Sequence, residues 1–133
     1  MTERTLMIGR WAVEFYFAAD GEYDTEELLD RLYDFGATAS QMRGAMRLME
    51  SGEMNTGFTF SNPNERLAIV AIGPTTSNSE FLNTLVHEVH HLAVAIAESL
   101  GVDLRDEGPA YLSGDLAYEL ASVICDLGCS CEK

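Results

Sequence analysis

All three histidines of this chain lie within five residues, in the segment His87-Glu88-Val89-His90-His91. His87, Glu88 and His91 form the pattern H-E-x-x-H. On an α-helix, residues four apart share one face and lie about 6 Å apart, so the imidazoles of His87 and His91 can reach a single ion. Because imidazole nitrogen is a preferred zinc ligand, the spacing predicts that both histidines bind Zn²⁺.

Glu88 has the position of a general base in this pattern. It lies about 100° around the helix from His87, which is too far to share the metal comfortably but close enough to reach a water molecule on it. Zinc lowers the pKa of such a water to about 7 and polarises a carbonyl group, and Glu88 would accept the proton. Hydrolysis of an amide bond is the predicted reaction. His90 lies about 100° from His91 and is not expected to be a ligand.

A catalytic zinc needs a third protein ligand, which must be a carboxylate because no other histidine and no upstream cysteine is available. The acidic candidates downstream of the motif are Asp103, Asp106, Glu107, Asp115 and Glu119. The connection after Gly101 is long enough to return Glu107 to the metal. Antiparallel pairing of the two helices would instead bring Asp115 and Glu119 level with the histidines, so the spacing leaves these two open.

Hydropathy and turn signals predict the elements that carry these residues. Apolar and polar residues alternate from Leu6 to Ala18, as in a strand with one buried face. Thr38 with Gln41, and Ser77 with Glu80, form capping-box patterns that begin helices. The predicted elements are a strand over Leu6–Ala18, helices over Thr25–Phe35 and Thr38–Glu50, a hairpin with strands Thr56–Phe60 and Arg66–Ile72, and helices over Ser77–Gly101 and Pro109–Leu127.

One domain is expected from 133 residues of ordinary globular composition, with 47% hydrophobic and 23% charged residues. It comprises an N-terminal strand and two helices (1–55), the hairpin (56–73) and two helices that carry the candidate site (77–127). This order predicts an α+β fold, in which a short antiparallel or mixed sheet packs on the helix of His87 and on the helix that follows.

The chain carries a formal charge of −14, from 22 acidic residues against 8 Lys and Arg. Phosphate backbones should repel such a surface, so nucleic acid is not an expected partner. A basic protein partner, or the mimicry of DNA toward a DNA-binding protein, is compatible with this charge. No apolar run approaches the ~20 residues that cross a bilayer, so no membrane association is expected.

The three cysteines, Cys125, Cys129 and Cys131, are crowded together and odd in number. They make a poor disulfide framework, which favours a reducing cytoplasm. The spacing C-x3-C-x-C lacks a fourth ligand for a second metal site. Cys125 is expected to be a small core residue on an apolar helical face, and Cys129 and Cys131 are expected to be exposed thiols.

The H-E-x-x-H segment, followed by Asp106–Leu112, resembles the gluzincins, which are zinc metallopeptidases with a zinc-binding helix and a later glutamate helix. Over roughly 56–127 the chain is similar to the small, phage-type minigluzincins. The resemblance implies a zincin-like core made of a short sheet, the zinc helix and the glutamate helix, with Glu88 as the base. The zinc ligands that it implies are His87, His91 and Glu107.

Together these expectations describe a cytoplasmic, zinc-dependent metallopeptidase-like protein that hydrolyses peptide bonds in a peptide or protein substrate. Tyr111, one turn into the last helix, is a further candidate catalytic residue, because its hydroxyl could donate a hydrogen bond to a tetrahedral oxyanion or to a ligating carboxylate. The alternative is a catalytically inactive metal-binding or acidic protein-interaction module, of the kind that phages or mobile elements encode.

Overall fold

Eight strands and helices make up residues 1–125, which are the part of the chain that the computed structural model describes. In chain order they are β1 (Thr2–Ile8), β2 (Trp11–Phe17), α1 (Thr25–Asp34), α2 (Ala39–Glu50), β3 (Gly57–Asn62), β4 (Leu67–Ile72), α3 (Asn78–Ser99) and α4 (Gly108–Val123). The strands form one sheet, so the predicted α+β class with a mixed sheet is confirmed. No helix in this range is both long enough and apolar enough to cross a bilayer.

The four strands lie in the order β1-β2-β4-β3. The two hairpins, β1 with β2 and β3 with β4, are antiparallel, and the hairpins join through a parallel pairing of β2 with β4. The predicted hairpin over 56–72 is therefore present. Because β3 lies at one end of the order, one of its edges is not paired with another strand of the sheet.

Helices cover both faces of the sheet. In β2 the rings of Phe15 and Phe17 join the core formed with α3 and α4, whereas Tyr16 joins the core formed with α1 and α2. Side chains alternate in the same way along β4, so Val70 belongs to the core with α3 and α4, and Ile69 belongs to the core with α1 and α2. A strand that is buried on both faces needs apolar residues at nearly every position, which explains the continuous apolar run of β4.

The prediction of a single strand over Leu6–Ala18 was wrong, because the chain turns back at Gly9 and Arg10 to form two paired strands. Gly9 has a φ of 59°, a left-handed conformation that glycine adopts without strain. Leu6 faces Val13 across the hairpin. The apolar residues on the buried face therefore stand at even positions before the turn and at odd positions after it. This shift in the alternation was the sequence signal for the turn.

The helix N-termini follow the predicted capping patterns in most cases. Thr38 and Gln41 form the full capping box at the start of α2, and Ser77 caps α3 by accepting a hydrogen bond from the Glu80 N–H. Helix α4 begins one residue earlier than predicted, with Glu107 as its N-cap residue and no side-chain cap. Its predicted end at residue 127 lies outside the described residues.

The prediction that Cys125 is a core residue was wrong, since its side chain is exposed. The buried face of α4 is formed by Leu116 and Leu120, which lie four residues apart. A residue five positions after Leu120 is rotated by about 140° from that face and points away from the core. Cys129 and Cys131 lie outside the described residues.

Glu14 on β2 ties α1 to the sheet. Its carboxylate accepts hydrogen bonds from Arg31 Nη2 at 2.6 Å, from Arg31 Nε at 3.0 Å and from the Tyr16 hydroxyl at 2.6 Å. Burial disfavours the charged form, but the hydrogen bonds from Arg31 and Tyr16 outweigh it, so the pKa of Glu14 lies below its usual value of 4.5. The ionised carboxylate therefore stabilises the packing of α1 on β2.

We expect Glu14→Gln to lower the free energy of unfolding at neutral pH by about 1 to 2 kcal/mol, because the amide cannot accept all three bonds as a charged group. A carboxyl whose pKa is lowered by folding contributes stability above its unfolded pKa, and this contribution is lost as the pH falls through the folded pKa. Urea unfolding should therefore show that the difference between wild type and variant shrinks below pH 4.5. A difference that stayed constant under acidic conditions would contradict this account of Glu14.

Candidate metal centre

Helix α3 carries the H-E-x-x-H motif in its middle, and its packing decides which side chains of the motif reach solvent. Phe81 and Leu85 are buried in the core against the sheet. Glu88 borders this apolar stripe and is only 5% exposed. His87 and His91 are exposed on the adjoining flank. The helix thus presents two imidazoles to solvent beside one buried carboxylate.

His87 and His91, the histidine pair, bring two ring nitrogens close together on the surface of α3. Their Nε2 atoms are 3.2 Å apart, and the rings stand at 80° to each other with centroids 4.8 Å apart. Two ligands of a tetrahedral zinc at 2.0–2.1 Å lie about 3.3 Å from one another. The separation of the two nitrogens therefore fits a shared tetrahedral metal, and the 67% exposure of the His87 side chain leaves it accessible from solution.

Glu88 is held between α3 and the edge strand β3. Its Oε1 accepts a hydrogen bond of 2.8 Å from the Thr59 hydroxyl, and its Oε2 lies 3.9 Å from Nε2 of His87. One carboxylate oxygen is thus bonded to the sheet, and the other lies beside the histidine pair. This arrangement suits a group that accepts a proton next to a metal.

A cleft of about 290 Å³ opens beside Glu88. Its walls are the end of α2, the start of β3 and the middle of α3, with the lining residues Leu48, Asn55, Thr56, Gly57, Asn83, Thr84, His87 and Glu88. A Cβ atom at Gly57 would lie 2.4 Å from the Ala71 carbonyl oxygen and 3.2 Å from Cγ of Glu88. A side chain at position 57 would clash with the main chain of β4 and press against Glu88, which explains the glycine.

Tyr23, in the loop before α1, packs against the start of β3. Its hydroxyl donates a long hydrogen bond of 3.5 Å to the main-chain oxygen of Thr56, which lines the cleft. Burial raises the pKa of Tyr23 above its usual value, and the negative charge of Glu88 raises it further. Tyr23 is therefore a protonated hydrogen-bond donor at neutral pH.

The candidates for a third ligand lie in α4 and in the connection that precedes it. Glu107 is the N-cap residue of this helix, and it is exposed, as are Asp115 and Glu119. The groove between α3 and α4 is lined from the α3 side by Val86 and His90, so α4 packs along a different flank of α3 from the histidine pair. Within residues 1–125, no third His, Cys, Asp or Glu joins the pair in a group that could hold a metal. The third ligand stays a prediction.

Tyr111 and Asp103, two further residues singled out from the sequence, lie in exposed positions. Tyr111 is 70% exposed on α4 and is not one of the residues that line the cleft of Glu88, so its catalytic role stays a prediction. Asp103 accepts hydrogen bonds from Arg105, and these bonds lower the pKa of its carboxyl. Asp103 is thus already engaged in an exposed ion pair.

Sequence reasoning missed the residues on the β3 side of the cleft. Thr59 and Gly57 are two residues apart on β3, so they point to the same face of the sheet, toward α3. Their alternation with Phe58 was visible in the sequence. The sequence did not show which residue of α3 lies against Gly57 and Thr59, because that contact depends on how α3 packs across the sheet.

Comparisons with protein-family models, with curated proteins and with solved structures find no match for this chain. The resemblance to gluzincins accordingly rests on the motif and on the segment Asp106–Leu112 alone.

We expect the protein to bind Zn²⁺ and Co²⁺ in solution, and His87→Ala and His91→Ala each to weaken the affinity by about tenfold or more, since each removes one of two converging nitrogens. His90→Ala is the matched control, because His90 lines the α3–α4 groove on the same helix. Calorimetric titration of the metal-free protein measures the affinities. Equal losses in all three variants would contradict the assignment of the histidine pair.

Proposed function

We propose that this chain is a zinc-dependent metallopeptidase that hydrolyses peptide bonds in a peptide or protein substrate. The observation that carries the proposal is the separation of 3.2 Å between the Nε2 atoms of His87 and His91, directly beside a buried carboxylate. A general base needs to lie next to a metal position without occupying it. The Oε2 atom of Glu88, 3.9 Å from Nε2 of His87, supports this role.

In this proposal the histidine pair holds the metal, and the resemblance to gluzincins supplies Glu107 as a third ligand. When bound, Zn²⁺ would supply Lewis-acid chemistry toward the substrate carbonyl and toward water. Oε2 of Glu88 accepts a proton from the water that attacks the carbonyl carbon, and Glu88 then delivers that proton to the leaving nitrogen as the C–N bond breaks. The Thr59 hydroxyl donates to Oε1, which leaves Oε2 for this role.

The free edge of β3 supports a peptide as the substrate. The Gly73 N–H donates to the Thr56 carbonyl, so in the alternating pattern of an antiparallel pair the main-chain groups of Gly57 and Thr59 turn away from β4. Unpaired main-chain groups at a sheet edge bind an extended peptide as an added strand. A peptide paired there would run past the cleft that contains Glu88.

The acidic surface supports a second candidate function, a metal-binding module without turnover that binds a basic protein partner. The formal charge of −14 is the observation that favours it. Zinc binding without cleavage, together with a tight and salt-sensitive partner, would favour this module over the enzyme. For either function we propose a cytoplasmic location, on the basis of the cysteine content.

We expect Glu88→Gln to keep the zinc affinity and to lower peptide hydrolysis by about 10² to 10⁴-fold, because the amide cannot accept the proton from water. Digestion of a peptide library, followed by mass spectrometry, identifies a substrate and then gives the rate. Glu98→Gln is the matched control, since Glu98 is an exposed carboxylate on the same helix. A Glu88→Gln protein that cleaves at the wild-type rate would exclude Glu88 as the base.

The third ligand has its own test. By the resemblance, Glu107→Ala should weaken the zinc affinity, whereas Asp115→Ala and Glu119→Ala should leave it unchanged. Elemental analysis and calorimetric titration of the three variants measure this. A loss in one of the α4 variants instead would reassign the ligand to that helix.

A further inference from the structure

We propose that Thr59 is a positioning residue for Glu88, which holds one carboxylate oxygen so that the other stays directed at the histidine pair. This inference rests on the proposed function. It is carried by one contact between two elements, the hydrogen bond of 2.8 Å from the Thr59 hydroxyl on β3 to Oε1 of Glu88 on α3.

The Thr59 hydroxyl has two acceptors within reach but only one hydrogen to donate. Oε1 of Glu88 lies at 2.8 Å, and the main-chain oxygen of Glu88 lies at 3.2 Å. The carboxylate is closer and carries charge, which makes it the stronger acceptor. The main-chain oxygen already has a partner in the helical pattern of α3. The hydroxyl therefore donates to the carboxylate.

Glu88 has no intrinsic preference that would orient its carboxylate. The last torsion of a glutamate joins an sp³ and an sp² carbon, and its energy profile is broad, so the two oxygens can turn freely unless a partner holds one of them. Thr59 holds Oε1, and Oε2 is consequently left 3.9 Å from Nε2 of His87. The oxygen that accepts the proton is thereby fixed by a side-chain hydroxyl that takes no part in the proton transfer.

The backbone of β3 determines where the Thr59 hydroxyl lies relative to Glu88. Thr59 lies inside a ladder in which it faces Val70, a fully buried residue of β4. Two residues earlier, Gly57 brings the strand so close that a Cβ atom there would lie 3.2 Å from Cγ of Glu88. The side chain of Glu88 thus passes close to the main chain of Gly57 and is bonded at its end by Thr59.

Thr59→Val tests the role, because valine keeps the shape of threonine and removes only the hydroxyl. We expect kcat to fall by about tenfold or more while KM and the zinc affinity stay within about threefold, since the histidine pair and the sheet edge are unchanged. Thr59→Ser keeps the hydroxyl and should restore kcat. Thr38→Val is the matched control, since it removes a threonine hydroxyl whose hydrogen bond is to the Gln41 N–H at the start of α2.

A second measurement does not depend on activity. In crystals of the metal-free protein, wild type and Thr59→Ser should show one Glu88 orientation with Oε1 on residue 59, and Thr59→Val should show a turned or divided carboxylate. An unturned carboxylate in Thr59→Val, a wild-type kcat in that variant, or a failure of Thr59→Ser to restore kcat would each overturn the proposal. So would a loss of kcat in Thr38→Val equal to that in Thr59→Val.

The two proposals fail in different ways. If wild-type protein hydrolyses no peptide, the proposed function fails, and the crystals of the metal-free variants still decide whether Thr59 orients Glu88. If wild type is active and Thr59→Val matches it in kcat and in the Glu88 orientation, only the positioning role of Thr59 fails.

Discussion

The rotation of α3 about its own axis is the constraint on which the candidate site depends. Phe81 and Leu85 must be buried on the sheet, and this requirement leaves α3 little freedom to turn. Once the apolar stripe is docked, Glu88 faces β3, and residues about 100° further round face solvent. The exposure of His87 and the burial of Glu88 are thus two consequences of one packing contact.

The sheet can impose this constraint because helices pack on both of its faces. Helices α1 and α2 cover the face opposite α3, where Leu28 and Leu32 pack with Ile69 of β4. The bonds between Glu14 and Arg31 add a polar tie between α1 and β2. A sheet held in this way gives β3 a fixed position, although β3 has a neighbouring strand on one side only.

Local signals predicted most of the helices and part of the site. The capping residues Thr38 and Ser77 determine where helices begin through contacts three residues away, and the convergence of the histidine pair follows from positions four apart on one helix. What could not be predicted depends on contacts between distant segments. The approach of Thr59 to Glu88 and the flank of α3 on which α4 packs are set by the docking of whole elements, which no spacing encodes.

The parallel pairing of β2 with β4 has a consequence for how the chain folds. It joins Ala12 to Leu67, whereas β3, β4 and α3 follow one another within 57–99. Contacts between distant parts of a chain cost more loop-closure entropy and form late, and contacts within a contiguous segment form early. Thr59 and Glu88 are 29 positions apart, fewer than the 55 between Ala12 and Leu67, so we expect their approach to form before the parallel pairing of β2 with β4.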